Sequence, residues 1–288
     1  LTTGTCRVTA GLKYSCARRR RAAERKETSM EWMRLYGPRL WNAVKHDVHQ
    51  RYAGSKFGSL WAILYPMAML AFYATIYVVV FRVRVPNLTP ATYTVLVMSG
   101  LSAIIMFSES ISNGLSVISG QRALLMNTVF PAELLPPRSV LASQVPSLAA
   151  LCITSVGAIV LRSASPIALL VVPLTWILLI MFMIGLVWIF SLLALALRDI
   201  QQAVGIVNMA MMVLSPMAYT PDMVPDALKF IIWFNPMSYF VLCLQAPLAL
   251  GTWPSAFAMT GACALGLGTF LVGLSFFRRA RYAFVDYA

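Results

Sequence analysis

Ionisable side chains are scarce in the apolar stretches of this sequence, and the one that stands deepest in them is an acid. Glu109 lies within Phe107-Ser108-Glu109-Ser110-Ile111-Ser112. A carboxylate is costly in hydrocarbon, so it must face a wet cavity, an aqueous interface or a partner. Two roles fit: a pathway or gate residue, or a structural acid that bonds neighbouring serines near the inner end of its helix. A lone site of this kind gives no relay for proton-coupled transport. The sequence contains no Gly-x-x-x-x-Gly-Lys-Ser/Thr, and Lys56 stands in Ser55-Lys56-Phe57, so ATP is not cradled by that route. His46 and His49 both fall in a polar segment outside the apolar runs. Paired carboxylates, Cys/His sets and Ser/His/Asp sets are therefore not available at membrane depth, which weighs against an embedded enzyme.

The elements that must position these residues follow from composition. Apolar residues make up 59% of the 288 and charged residues 11%, with a mean hydropathy of +0.75. Such a chain is an all-α membrane protein with several spans, not a soluble globule. Six runs reach or approach the ~20 helical residues that cross a hydrocarbon core: 60–81, 94–112, 139–161, 167–197, 202–219 and 256–277. A seventh candidate, Leu228–Leu250, is interrupted at Asn235-Pro236 and again at Pro247. Proline lacks an amide donor and clashes with the preceding turn, so this stretch is expected to form two re-entrant half-helices in the outer leaflet. Residues 1–56 carry 13 Lys or Arg against 4 acids, and Arg278, Arg279 and Arg281 make the tail basic. Six spans put both basic ends in the cytoplasm, as the positive-inside rule requires. Segments 82–93, 162–166 and 220–255 then face outward, and 113–138 and the Arg198-Asp199 turn face the cytosol.

Between Met30 and Gln50, Trp32, Tyr36, Leu40, Val44 and Val48 recur every four positions. Residues 30–56 therefore read as an amphipathic helix, placed on the membrane surface or against the protein's own cytosolic face. It runs directly into the transmembrane part, 57–288, through His49–Pro66. Residues 1–29 form a basic extension with no apolar core for a signal peptide, and Met30 is the expected start of translation. The five cysteines are scattered at no metal-ligand spacing and read as packing or incidental thiols. Aromatic residues gather along the first run (Trp61, Tyr65, Tyr73, Tyr77) and in the last outer segment (Phe230, Trp233, Tyr239). They suit interfacial belts and helix packing, or the lining of a conduit whose ring faces stack on sugars.

Four motifs, in order along the chain, resemble the Wzm-type membrane subunits of type-2 ABC exporters of polysaccharides and teichoic-acid-like polymers. They are Arg51-Tyr52-Ala53-Gly54-Ser55 with Gly58, Leu60-Trp61 and Pro66; Phe130-Pro131 with Leu134-Leu135-Pro136; Arg198-Asp199; and Ser215-Pro216 followed by Asn235-Pro236. The resemblance runs from about Met30 to the C-terminus. It implies a homodimeric permease in the cytoplasmic membrane, paired with a separate ABC ATPase that holds ATP and Mg, with no cofactor on this chain and no nucleic-acid partner. It further implies that the loop 113–138 docks the ATPase through Arg122, Leu125, Asn127, Phe130, Pro131 and Glu133. The same resemblance makes the surface helix part of a cytosolic gate, where a polyprenyl-pyrophosphate-linked glycan enters past Tyr52. Arg51 and Lys56 would take its phosphates, although contact with anionic membrane lipid serves the same cations. Glu109, Arg198, Asp199, Pro216, Asn235 and Pro236 are then structural or gating residues. Two positions depart from the family pattern: Ala132 where a basic residue often precedes the glutamate, and Gln245 where an arginine often follows the Asn-Pro.

Two other functions remain open on sequence: a related permease for a drug or lipid, and a membrane scaffold that recruits a glycan synthase through its basic end. The docking assignment is open to a direct check. Phe130→Asp places a charge in a contact expected to be apolar and should weaken ATPase binding roughly ten-fold or more while the permease stays folded. Co-purification of the two subunits measures this; normal recovery of the ATPase would reject the assignment.

Overall fold

A backbone in hydrocarbon must satisfy its own polar groups, which helices do within one segment. The computed structural model describes residues 37–80, 88–120, 132–197 and 199–285, and among these there is no strand. Helix α1 covers residues 37–52, and α2 covers Trp61–Ala74 and is prolonged by a wide π-type turn over Thr75–Val80. They are followed by α3 (Pro90–Leu115), α4 (Leu135–Ala142), α5 (Gln144–Val160), α6 (Ala168–Ala196) and α7 (Asp199–Leu214). Two short helices, α8 (Lys229–Phe234) and α9 (Pro236–Gln245), precede the long α10 (Ala256–Val285).

Helix α3 is the axis of the bundle. Its residues are buried on nearly every side from Tyr93 to Phe107, a stretch whose residues are mostly apolar all round. Its start is set locally: the Thr89 side chain accepts from the Thr92 amide at 3.2 Å, and Pro90 occupies the first turn, where its missing N–H costs nothing. Helices α5, α6, α7 and α9 pack around it, and α10 packs along α6. The α6–α10 crossing is so close that only glycine fits. A methyl group at Gly185 would overlap the Thr269 carbonyl, and one at Gly273 would overlap the Gly185 carbonyl. Small residues at such contacts let two helix backbones meet where lipid offers no hydrophobic drive.

Among the described residues, five helical stretches are long and apolar enough to cross a membrane: Gly58–Tyr77, Pro90–Leu115, Ala132–Val160, Ala168–Ala196 and Ala256–Ala280. Counting the α8–α9 stretch as one span would make six. Its two parts bend by 96° at Asn235, where the expected break falls. The Asn235 side chain is buried, accepts from the Met237 amide at 2.9 Å and donates to Ser215 Oγ at 3.0 Å. Pro247 behaves differently from expectation. The helix does not break there but widens into a π-type turn over Ala246–Leu250, ending at Gly251 with φ +69°. The carbonyls so exposed are met from outside the turn: Ser165 N donates to Pro247 O at 3.0 Å and Ser163 Oγ to Leu248 O at 2.9 Å.

Two boundaries also move. The apolar run 202–219 yields a helix of only 16 residues, Asp199–Leu214. Ser215 Oγ turns back onto the Met211 carbonyl at 2.5 Å, and Pro216 cannot continue the helix. The loop expected over 113–138 is shortened from both sides, since α3 runs to Leu115, another helical turn covers Val117–Gly120, and helix resumes at Ala132.

Gly185→Leu should lower the thermal transition of the detergent-solubilised chain sharply. The obstacle is backbone, so the cost exceeds the ~1–3 kcal/mol of ordinary overpacking. Gly268→Ala, with no neighbour within 4 Å, should leave the transition unchanged; scanning fluorimetry compares the two.

Candidate functional site

One end of the bundle, called basal here, carries α1, the C-terminal part of α3, α4, and the last turns of α6 and α10. The sequence brings α1 there through a tight reversal. Gly54 (φ +79°) and Gly58 (φ +50°) adopt left-handed backbone that a side chain would resist, folding the 53–58 turn so that α1 ends beside the start of α2. Among the described residues of α1 only Val44 is buried, and Trp41 is 58% exposed. Polar contacts therefore hold much of this helix. It rests against α4 through Asp47 and leaves Trp41 uncovered.

Ser143, the residue between α4 and α5, is the hub. Its hydroxyl donates to Ser139 O at 3.0 Å and accepts from Arg51 Nη2 at 3.1 Å and from Asn113 Nδ2 at 3.2 Å. Asn113 also donates to the Glu109 carbonyl at 2.7 Å. One turn before Arg51 on α1, Asp47 takes a two-point contact from Arg138, with Nε to Oδ2 at 2.6 Å and Nη2 to Oδ1. Both side chains are largely buried.

The Glu109 carboxylate lies within electrostatic range of Arg51, Tyr52 and Tyr65 but makes no hydrogen bond or ion pair among the described residues. Partial burial, and next the negative charge of Glu109, push the Tyr52 phenol above its ordinary value, with Arg51 opposing. Tyr52 is thus a neutral donor and acceptor at physiological pH. Lys56 is exposed in the 53–58 turn and makes no contact of its own among the described residues. The group offers a guanidinium and an ammonium for an anion, and a carboxylate and phenols for hydroxyl groups. That is the chemistry of binding.

The other expected site residues fall into separate places. Glu133 stands at the basal end, where its carboxylate accepts from Arg278 Nε on α10 at 3.3 Å and its carbonyl from Trp188 Nε1 on α6 at 3.0 Å. Arg122, Leu125, Asn127, Phe130, Pro131 and Arg198 lie outside the described residues. Asp199 opens α7, and Pro216 is buried. On α2, Trp61 and Tyr65 are exposed, and Tyr73 stacks on Tyr77 at 6.5 Å. Tyr77 is in electrostatic range of Tyr93 and Tyr219. Trp233 and Tyr239 instead pack on Phe257 of α10, at 5.0 and 5.8 Å between ring centroids, while Phe230 is exposed. The two aromatic groups are therefore not brought together within one chain.

Sequence reasoning missed Asn113, Ser143, Trp188, Arg138 and Asp47 as site residues, and read Arg278 only as part of the basic tail. It also missed a cavity of about 240 Å³ between α3 and α7, lined by Ser112, Ser116, Gln201 and Asn208 with Ile111 and Val204. Asn208 donates to Ser108 Oγ at 2.9 Å, and its buried oxygen has no partner among the described residues. At Gln245, where the resemblance led to an arginine, the buried amide donates to the carbonyls of Pro216 at 2.9 Å, Met217 at 3.2 Å and Leu96 at 3.3 Å. A neutral donor serves there without the cost of a buried charge.

Residues 39–249 match the family described as ABC-2 type transporter. The chain belongs to that family. It is a multi-pass membrane protein of a transporter family whose permeases work with an ABC ATPase. Among its relatives, an O-antigen export system permease protein RfbA of Klebsiella pneumoniae is 29% identical over 245 residues, covering 83% of this chain and 91% of the relative. The protein of that name from Myxococcus xanthus is 25% identical over 249 residues, covering 86% and 94%.

The hub at Ser143 is testable within this frame. Ser143→Ala removes the acceptor shared by Arg51 and Asn113, a loss of about 1 kcal/mol for a partly exposed contact. Amides of residues 47–52 should then exchange hydrogen about five-fold faster, as read by mass spectrometry, while those of α3 stay unchanged.

Proposed function

We propose that this chain is the permease subunit of an exporter that moves a polyprenyl-pyrophosphate-linked polysaccharide, an O-antigen or similar surface glycan, outward across the cytoplasmic membrane. The observation that carries this reading is the likeness to O-antigen export permeases over nine-tenths of their length. ATP and Mg are held by the ABC ATPase, and this chain contributes no catalytic group or cofactor. Six spans, with Asp199–Leu214 counted as the fifth and α8–α9 as a re-entrant pair, leave both termini in the cytoplasm and make the basal end cytosolic.

Arg51 and Lys56 take the pyrophosphate at that end, with Tyr52 and Glu109 beside them to meet sugar hydroxyls. The cavity of Ser112, Gln201 and Asn208 has the mix of neutral hydrogen-bonding and apolar lining that suits a sugar ring. Trp61, Tyr65, Tyr73 and Tyr77 offer ring faces along the conduit, and Phe230, Trp233 and Tyr239 belong to its outer closure. The uncovered sides of α2 and α7, where Phe72 is 61% and Ile206 73% exposed, support a homodimer. The segment 113–138, ending at Glu133 and α4, docks the ATPase.

Cells lacking this chain should accumulate lipid-linked glycan inside and lose it from the surface, and re-expression should restore both. An unchanged surface with no internal build-up would reject glycan export in favour of a drug or lipid substrate. Extraction of lipid-linked oligosaccharide beside surface labelling reads the two pools.

A further inference from the structure

Two contacts run side by side from α1 to the end of the ATPase-docking segment and the residues just after it. On α1, Asp47 and Arg51 are one helical turn apart and face the same way. Their partners, Arg138 and Ser143, lie at α4 and at its end. Helix α4 is continuous with Ala132–Leu134, the turn in which Glu133 is gripped by Trp188 and Arg278. Val44 is the one buried side chain of α1 among the described residues. The Asp47–Arg138 contact is directional as well as strong: a planar guanidinium meeting a carboxylate at two points fixes angle as well as distance. Its position is also shielded, with side-chain exposures of 16% and 8%, so salt screens it less than a surface pair.

We infer that Arg138 and Asp47 are positioning residues that couple the ATPase-docking segment to the gate helix, so that displacement of α4 during the ATP cycle moves α1 as one piece with it. This inference rests on the functional reading above for the roles of the two elements, but the pair itself is a feature of this chain's geometry. Helix α1 carries Arg51 and Tyr52 at the place where the glycan head binds. Motion of α4 therefore moves those groups relative to Glu109, which is fixed on the buried α3. The Arg51–Ser143 contact adds a second point of attachment that keeps α1 from pivoting about the first.

The test uses the reconstituted complex of permease and ATPase and has two readouts. The first needs no glycan: hydrogen exchange of residues 44–52, with and without ATP and vanadate. The second is export of lipid-linked glycan into vesicles. In the wild type, ATP and vanadate should change protection of α1. Asp47→Asn should leave subunit assembly and basal ATP hydrolysis within about two-fold of wild type, abolish the ATP-dependent change in α1, and lower export about ten-fold, within the span of known coupling effects. The exchanged pair Asp47→Arg with Arg138→Asp should restore both readouts. If Asp47→Asn does not assemble, Arg138→Lys keeps the charge but gives up the two-point contact, and should show an intermediate loss.

An assembled Asp47→Asn complex, or in its place an Arg138→Lys complex, that keeps the wild-type α1 response overturns the inference. So does an exchanged pair that assembles without restoring it. Wild-type vesicles that show the α1 response yet export no glycan would reject the substrate reading and leave the coupling standing.

Discussion

Inside a bilayer every backbone N–H and C=O must find a partner without help from water, and the bundle is organised around the places where regular helix fails to supply one. At Asn235 the chain turns by 96°, and the side chain that caps the new helix also reaches Ser215 at the end of α7. At Pro247 the freed carbonyls are met by Ser163 and Ser165 from the loop between α5 and α6. At Pro216 and Met217 the Gln245 amide does the same work. Each irregularity is thereby stitched to a different part of the chain. The breaks that interrupt single helices are the joints that fix the far end of the bundle to the central α3.

The basal end follows another logic. Its joints are made by side chains at the border with water: a two-point ion pair, a serine with three bonds, and a glutamate held by an indole and a guanidinium. Contacts of this kind have direction and can be broken and remade, whereas glycine-to-backbone contacts such as the α6–α10 crossing cannot shift without separating the helices. The molecule thus has a rigid seam along α6 and α10 and an adjustable one between α1 and α4.

Features that depend on neighbouring residues were legible in the sequence. Asn235-Pro236 broke the helix because cap and proline act within a turn, and the four-residue spacing of Leu40, Val44 and Val48 marked the covered face of α1. Pro247 shows the limit of that local rule, because two serines some eighty residues earlier let the helix widen instead of stopping. The run 202–219 looked long enough to cross, yet Ser215-Pro216 ended it at Leu214. Asp47 and Arg138 are 91 positions apart, and nothing in either neighbourhood marks them as partners. Ser143 resembles any serine in an apolar region until the fold brings Arg51 and Asn113 to it. Glu109 was found because a charge in hydrocarbon is conspicuous by itself, but the sequence did not say that Arg51, Tyr52 and Tyr65 come within electrostatic range of it.

The shortness of α7 has a consequence for the lipid beside it. Sixteen residues reach only ~24 Å at 1.5 Å each, against a hydrocarbon thickness of ~30 Å. With α7 as the fifth span proposed above, acyl chains along its exposed face would compress or leave Gln201 and Gln202, both exposed near its start, to draw water inward. Such mismatch costs a fraction of a kcal/mol per Å. Any arrangement that removes this face from lipid relieves the strain, so the membrane itself pushes short helices of this kind together, whichever side chains then meet.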